Sequence, residues 1–374
     1  MMRKKFCFIP CVFPILFLIF SCERPLTPEK ILENSKHKYL TSAHISYFSE
    51  LHWKNPLLLE VDTFFQELQF QKHPNPHWDY NYIGMSTKGG LLYINGVFSE
   101  INHIDSTLRV YTEDELEIQS DLISENMYTN FSPLTFLLKG NFVYKQDSLV
   151  ANRLLKNYFF ISMDTVIDDY KVLLENHVFI DPENYEIPLM MTKHYLNGKE
   201  NQIIAAWFKH IAFENDTKYL QYTAPENYLS TTTADKELIS LIKQRSKAPE
   251  FKLEDLQGNP VQLNDFKGKK VLLNFSMINC GWCKHALDNF NKPDFKFKEE
   301  VIPLYINPVD RRERMLKYVE INTIDFPVMT GAKEVGKAYG VTGYPTFILI
   351  DEEGYVEKTF VGFQDEMVDH IKFK

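Results

Sequence analysis

Beyond residue 22 the chain holds two cysteines, Cys280 and Cys283, in the stretch NCGWCKHA, and their surroundings constrain the fold more than any other feature. The apolar run KVLLNFS, residues 270–276, comes just before them and reads as a fully buried strand, and residues 281–290 read as a helix. The pair thus falls where a strand ends and a helix begins. Unpaired N–H groups and the helix dipole stabilise a thiolate there, and the thiolate is the attacking species in sulfur chemistry. A metal half-site, a structural staple and an electron-exchanging pair all use such a spacing. Zinc would need two more ligands at a suitable spacing, and no second cysteine pair follows residue 22, so no metal is expected. A bridge that closes a two-residue loop restrains the unfolded chain very little, which makes a purely structural role weak. Electron exchange is the stronger reading.

From Phe251 onward strands and helices alternate. FKLEDLQGNPVQL reads as a hairpin turning at Gly258, followed by the strand before the cysteines and the helix over 281–290. Strand VIPLYI, a helix over 311–321, the short helix in AKEVGKAYG, strand TFILI, turn DEEG, strand YVEKTF and a last helix from Gln364 complete the pattern. This predicts a mixed sheet flanked by helices. With its flanking landmarks APEFKLEDLQGNPVQLNDFKGKKVLLNF and YGVTGYPTFILIDEEG, the CGWC stretch resembles the thioredoxin superfamily. Across about 245–374 it is more closely similar to the membrane-tethered thiol–disulfide oxidoreductases of the TlpA/ResA type.

The resemblance implies a role for each matching residue. Cys280 would attack a substrate disulfide and form a mixed disulfide, which Cys283 would resolve, with Gly281 and Trp282 between them tuning the potential. Pro345, in GYPTF, falls on the family's cis-proline beside the cysteine pair, and Tyr344 would offer backbone N–H and C=O groups to an extended substrate segment. No cofactor is implied. The departures are also specific. Asn279 and Ser276 stand where many relatives carry tryptophans, which implies thinner aromatic cover. Asn274 stands where thioredoxins bury a proton-relaying aspartate, and Ala286 where some relatives place a glutamate, so water or a residue from elsewhere must serve Cys283. Lys284 and His285 are expected on the outer face of the helix.

The other end of the chain reads as an address. Arg3, Lys4 and Lys5 precede an apolar run from Phe6 to Phe20 that, at about 15 residues, is short for a spanning helix. LIFSC resembles a bacterial lipoprotein signal, which implies cleavage after residue 21, lipidation of Cys22 and anchoring to a membrane on the periplasmic side of the cell envelope. Cys7 and Cys11 would leave with the signal. Residues 1–21 are thus read as signal peptide, 22–30 as tether, 31–230 as a β-rich domain, 231–248 as linker and 249–374 as the thioredoxin-like domain. The expected fold class is α/β: a C-terminal thioredoxin fold preceded by a β-rich α+β domain.

Within 31–230 a helix opens the domain, with Ile31, Leu32, Tyr39 and Leu40 near one face. LLYINGVF and STLRVYTEDELEIQ read as strands, and SPLTFLL and DSLVANRLLKNYF as short helices. The long run ending in HVFIDPENYEIPLMMTKH resembles the unclosed β-barrel of lipoprotein carriers, draped over a helix. His37, His44, His52, His73 and His77 match no common metal spacing. A net charge of −9 with no basic cluster excludes nucleic acid as a partner. The expected partners are disulfide-bearing extracytoplasmic proteins, a membrane or thioredoxin-like redox partner, and the membrane itself through the anchor. The reading from another class is a non-catalytic binding lipoprotein that keeps the thioredoxin fold as a recognition platform.

Overall fold

The computed structural model describes residues 26–167, 170–215, 219–232 and 240–373. The signal peptide and residues 22–25 of the tether, Cys22 among them, lie outside the described residues, as does 233–239 of the linker. No helix among the described residues is long and apolar enough to cross a membrane.

Helix α1 (Pro28–Thr41) opens the described chain. Pro28 occupies its first turn, where a missing N–H costs nothing, and the Thr27 hydroxyl accepts from the Lys30 amide. Strands β1 (His44–Asn55), β2 (Glu60–Lys72), β3 (Tyr80–Ser86), β4 (Gly89–Ile94), β5 (Val97–Asn102) and β6 (Thr107–Val110) then run as an antiparallel meander. Four short helices follow: α2 (Glu113–Ile118), α3 (Asp121–Ser124), α4 (Met127–Asn130) and α5 (Pro133–Phe136). The chain returns through β7 (Val143–Val150), β8 (Arg153–Ile167), β9 (Tyr170–Ile180), β10 (Leu189–Leu196), β11 (Lys199–Glu214) and β12 (Leu229–Thr232). These strands make one sheet in the order β12-β6-β5-β4-β3-β2-β1-β11-β10-β9-β8-β7, open at both edges.

Its core is aromatic. Tyr39 of α1 and Tyr128, Leu134 and Phe136 of the short helices pack with Tyr47, Phe70, Tyr82, Tyr93 and Tyr158 from the strands. Gly84 is needed for this close approach, because a Cβ there would lie 2.6 Å from the Tyr128 ring.

Two local readings are corrected. DSLVANRLLKNYF is the β7–β8 hairpin, not a helix. Ala151 and Asn152 both adopt positive φ, 47° and 64°, and form the two-residue turn that matches strand twist. STLRVYTEDELEIQ is a strand only as far as Val110. Thr112 and Glu115 then close a capping box that starts α2, so the chain turns helical after the strand. SPLTFLL does contain helix α5.

The C-terminal part contains the hairpin β13 (Lys252–Glu254) and β14 (Pro260–Gln262), strand β15 (Lys270–Phe275), helix α6 (Gly281–Phe290), strand β16 (Val301–Ile306), helix α7 (Arg312–Ile321), strand β17 (Val328–Met329), helix α8 (Lys333–Ala338), strands β18 (Thr346–Ile350) and β19 (Val356–Val361), and helix α9 (Asp365–Ile371). The sheet order is β17-β16-β15-β18-β19. β15, β16 and β17 run parallel, and β18 and β19 are antiparallel to their neighbours. Period-two alternation sorts the side chains onto two faces. Val271, Leu273, Phe275, Ile348 and Ile350 fill one core, and Leu272, Phe347 and Leu349 pack on the other face with Ala286 and Phe290 of α6 and Met367 and Ile371 of α9. Both faces of the sheet are therefore covered, which is why its strands read as continuous apolar runs. The fold is α/β, a mixed sheet between helices behind a β-rich region. The two-residue strand β17 was not legible from its pattern.

Residues 240–248, inside the stretch read as linker, are held to this C-terminal part. Ile242 N–H donates to the Tyr339 carbonyl, Arg245 N–H to Val356 and Ala248 N–H to Gly354.

Candidate redox site

β15 is buried on both faces and ends at Phe275, and the chain then crosses 276–279 and re-enters as α6 with Cys280 as its N-cap. Cys280 has extended backbone, φ −120° and ψ 106°, and its Sγ accepts the Cys283 N–H at 3.1 Å, one of the helix's unpaired donors. The two cysteines are joined in a disulfide with Cα atoms 5.2 Å apart. Cys283 is 2% exposed, whereas Cys280 is partly open to solvent. Gly281 is exposed, and a Cβ on it would touch nothing within 4 Å, so this side of the pair stays clear.

Pro345 and Tyr344 come to the pair from the loop before β18. The Tyr344–Pro345 bond is cis, and the Tyr344 carbonyl oxygen lies 3.5 Å from Cys280 Sγ. Burial, and after it the negative charge of Asp310, pushes the Tyr344 phenol above its ordinary range. Trp282 projects outward, 70% exposed, with its ring edge-on to His285, which is in turn edge-on to Phe363. His285 is exposed and Lys284 pairs with Asp288 one turn on, so both lie on the outer face as their positions suggested.

Beneath the pair the departures found in the sequence acquire partners. Asn274 is buried, and its Oδ1 accepts the Ser276 hydroxyl at 2.6 Å. An amide in this position has no proton to relay. Sequence reasoning missed Asp310, which sits in the loop before α7 and fixes the approach to Cys280. One of its oxygens accepts the Ile278 N–H at 2.9 Å and the Asn307 amide at 3.1 Å, while the buried Asn307 Oδ1 accepts the Val309 and Asp310 N–H groups. NPVD carries the turn residues for such a loop, but nothing in its spacing tied it to the cysteines.

This arrangement can exchange electrons through sulfur: a partly exposed cysteine at a helix N-terminus, a shielded partner and a backbone carbonyl beside them. A family profile described as "AhpC/TSA family" matches residues 245–359. The thiol–disulfide oxidoreductase ResA of Bacillus thuringiensis subsp. konkukian (strain 97-27) is 33% identical over 129 residues, covering 33% of this chain and 75% of the relative. ResA of Geobacillus thermodenitrificans is 33% identical over 158 residues, covering 41% of this chain and 86% of that protein.

The chain belongs to the ResA-like thiol–disulfide oxidoreductases. The AhpC/TSA profile falls in its C-terminal part. The thioredoxin-like protein YneN of Bacillus subtilis is 29% identical over 124 residues, 32% of this chain and 73% of YneN. Among solved structures, the thioredoxin domain of a thiol-disulfide oxidoreductase from Bacteroides vulgatus is 28% identical, spans 34% of this chain and 97% of that one, and has a TM-score of 0.30. Among the described residues, no group of three or more His, Cys, Asp or Glu side chains is placed to hold a metal.

Proposed function

We propose that this protein-disulfide oxidoreductase reduces disulfides of extracytoplasmic proteins through Cys280 and Cys283, held to a membrane by lipid on Cys22 and facing the periplasm. The observation that carries the reading is the asymmetry of the pair: Cys280 is partly exposed, its Sγ caps α6 and lies 3.5 Å from the Tyr344 carbonyl, while Cys283 is 2% exposed. In the reduced enzyme the Cys280 thiolate attacks one sulfur of a substrate disulfide. A new S–S bond forms, the substrate S–S bond breaks, and the departing thiolate takes a proton from water.

Cys283, as a thiolate, then attacks the Cys280 sulfur of the mixed disulfide. The second substrate sulfur leaves, and two electrons have passed from the cysteine pair to the substrate. The Cys283 N–H directed at Cys280 Sγ stabilises negative charge on that sulfur whenever it is released. Asn274 and Ser276 beneath the pair give no carboxylate relay, so the proton of Cys283 goes to water. Reduction of the Cys280–Cys283 bond for the next cycle requires a dithiol partner, in the membrane or thioredoxin-like.

Replacing Cys283 with serine tests this reading, because the mixed disulfide can then no longer be resolved. The Cys283→Ser chain, exposed to envelope proteins, should accumulate dithiothreitol-sensitive adducts on Cys280, and a Cys280→Ser chain should accumulate none. An empty trap would overturn the reading in favour of a non-catalytic binding lipoprotein.

A further inference from the structure

The connection between β1 and β2, residues 55–60, belongs to the large sheet, yet its tip is seated in the C-terminal part. Leu58 is 3% exposed and packs with Ile278, Leu287, Tyr305, Met315 and Tyr318. Around it, Asp62 receives both terminal nitrogens of Arg314 at 2.7 and 3.2 Å, Lys317 pairs with Glu60, and Asn322 donates to the Leu57 carbonyl. The tip ends at the redox pair. Asn55 is 4% exposed, and its Nδ2 donates to Asn279 Oδ1 at 2.8 Å and to Asp62 Oδ2 at 3.1 Å, while its own Oδ1 is occupied by the Leu57 N–H.

A hydrogen-bonded chain thus runs from Arg314 through Asp62 and Asn55 to Asn279, the residue bonded to Cys280. We propose that Asn55 is a positioning residue for Cys280: the hairpin tip of the β-rich region holds the loop before α6 so that the cysteine sulfur stays over the Cys283 N–H. Asn279 is exposed, so packing constrains its side chain little and this bond to a buried partner sets its placement. Ile278 is secured separately by Asp310, which leaves Asn279 as the one residue between that anchor and the cysteine. The charged groups facing the contact are Asp62 and Arg314, which neutralise each other, and Asp310 on the other side of the loop. Attack by Cys280 is the step that this positioning serves, so the inference rests on the reading above.

The test reads the sulfur itself, not turnover. The reduced full-length chain is alkylated with iodoacetamide across a range of pH, and modification of Cys280 is followed by peptide-resolved mass spectrometry. Loss of one neutral hydrogen bond should slow Cys280 alkylation at pH 7 about threefold in Asn55→Ala and move its half-maximal rate to higher pH, with the alkaline plateau unchanged. Asn279→Ala, an exposed change that spares the hairpin's packing, should give the same shift, and the double variant no more than either alone. Lys317→Ala removes a hairpin ion pair away from the contact and should leave the profile as in the native chain. Native profiles in both asparagine variants, or fully additive shifts, would overturn the proposal. A native chain that alkylates as described but cannot reduce a disulfide would instead sink the functional reading while this cycle still reports on Asn55.

Discussion

The two sheets put their buried polar groups to different uses. In the large sheet they form separate local sets between neighbouring strands: Asn81 donates to Gln71 and Asn95, and Asn176 donates to Ser162 while its own oxygen accepts from Thr192. His177 lies stacked between Phe159 and Phe179, with its ring nitrogens on Asn157 and Glu175, and Tyr39 bonds to the Ile187 N–H. In the smaller sheet Asn274 and Ser276 pair at the end of β15, Asn307 and Asp310 pair after β16, and Asp310 also takes the Ile278 N–H in the loop that leads to Cys280. Sets of the first kind bond strand to strand within one sheet and satisfy polar groups its interior has enclosed. The bond from Asp310 fixes a loop in space, and that is what a reacting sulfur needs. Among the described residues, the larger sheet meets the loop before Cys280 through the β1–β2 hairpin, at Asn55.

That contrast can be broken at Leu58, where the largest effect is expected. Truncation of a fully buried leucine to alanine costs about 2–5 kcal/mol, and here the cost falls on a contact between the two parts. Leu58→Ala should turn a single urea transition into two, with the large sheet and the C-terminal part unfolding at separate midpoints. One unchanged cooperative transition would show that the parts are joined by something other than the hairpin.

Acid should sharpen the contrast with a smaller effect. Burial holds His177 below the ordinary histidine value of 6.5, so the folded chain binds fewer protons there than the unfolded chain. Its contribution to stability is complete above pH 6.5 and is lost as the pH falls through the depressed folded value. Hydrogen bonding from Arg314 holds Asp62 below the ordinary aspartate value of 3.8, so the hairpin contact is complete above pH 3.8 and is lost on further acidification. Hydrogen exchange followed by mass spectrometry should therefore show β8 and β9 opening more readily between pH 7 and 5 while residues 55–62 stay protected. Equal opening of both segments over that range would contradict the assignment of the two groups.

How much could be read from the sequence follows the same division. Helix α6 and strands β15, β16 and β18 were legible because both faces of a covered sheet are apolar and the turns between them carry glycine or acidic residues. The cis-proline and the cysteine pair were legible through a resemblance that no single motif could have supplied. The β7–β8 turn was missed because Ala151 is an uncommon residue at positive φ, and the stretch offers apolar residues at helical as well as strand spacing. Asn55 was invisible for a different reason: its partner lies 224 residues away, and hydrogen bonds across that separation leave no local pattern. One signal was present. The stretch KNPLLLE sets three leucines at a turn marked by Asn-Pro, where solvent is the usual neighbour, and such a turn asks for a surface; Leu58 is buried on one, while Leu59 stays 73% exposed.

The most direct test of a reductase built on Cys280 and Cys283 is the reduction potential of that pair in the full-length chain, equilibrated against glutathione or dithiothreitol buffers. A reductant calls for a value near that of thioredoxin, about −270 mV. A value near that of a strong disulfide donor, about −120 mV, would contradict it and make the protein an oxidant.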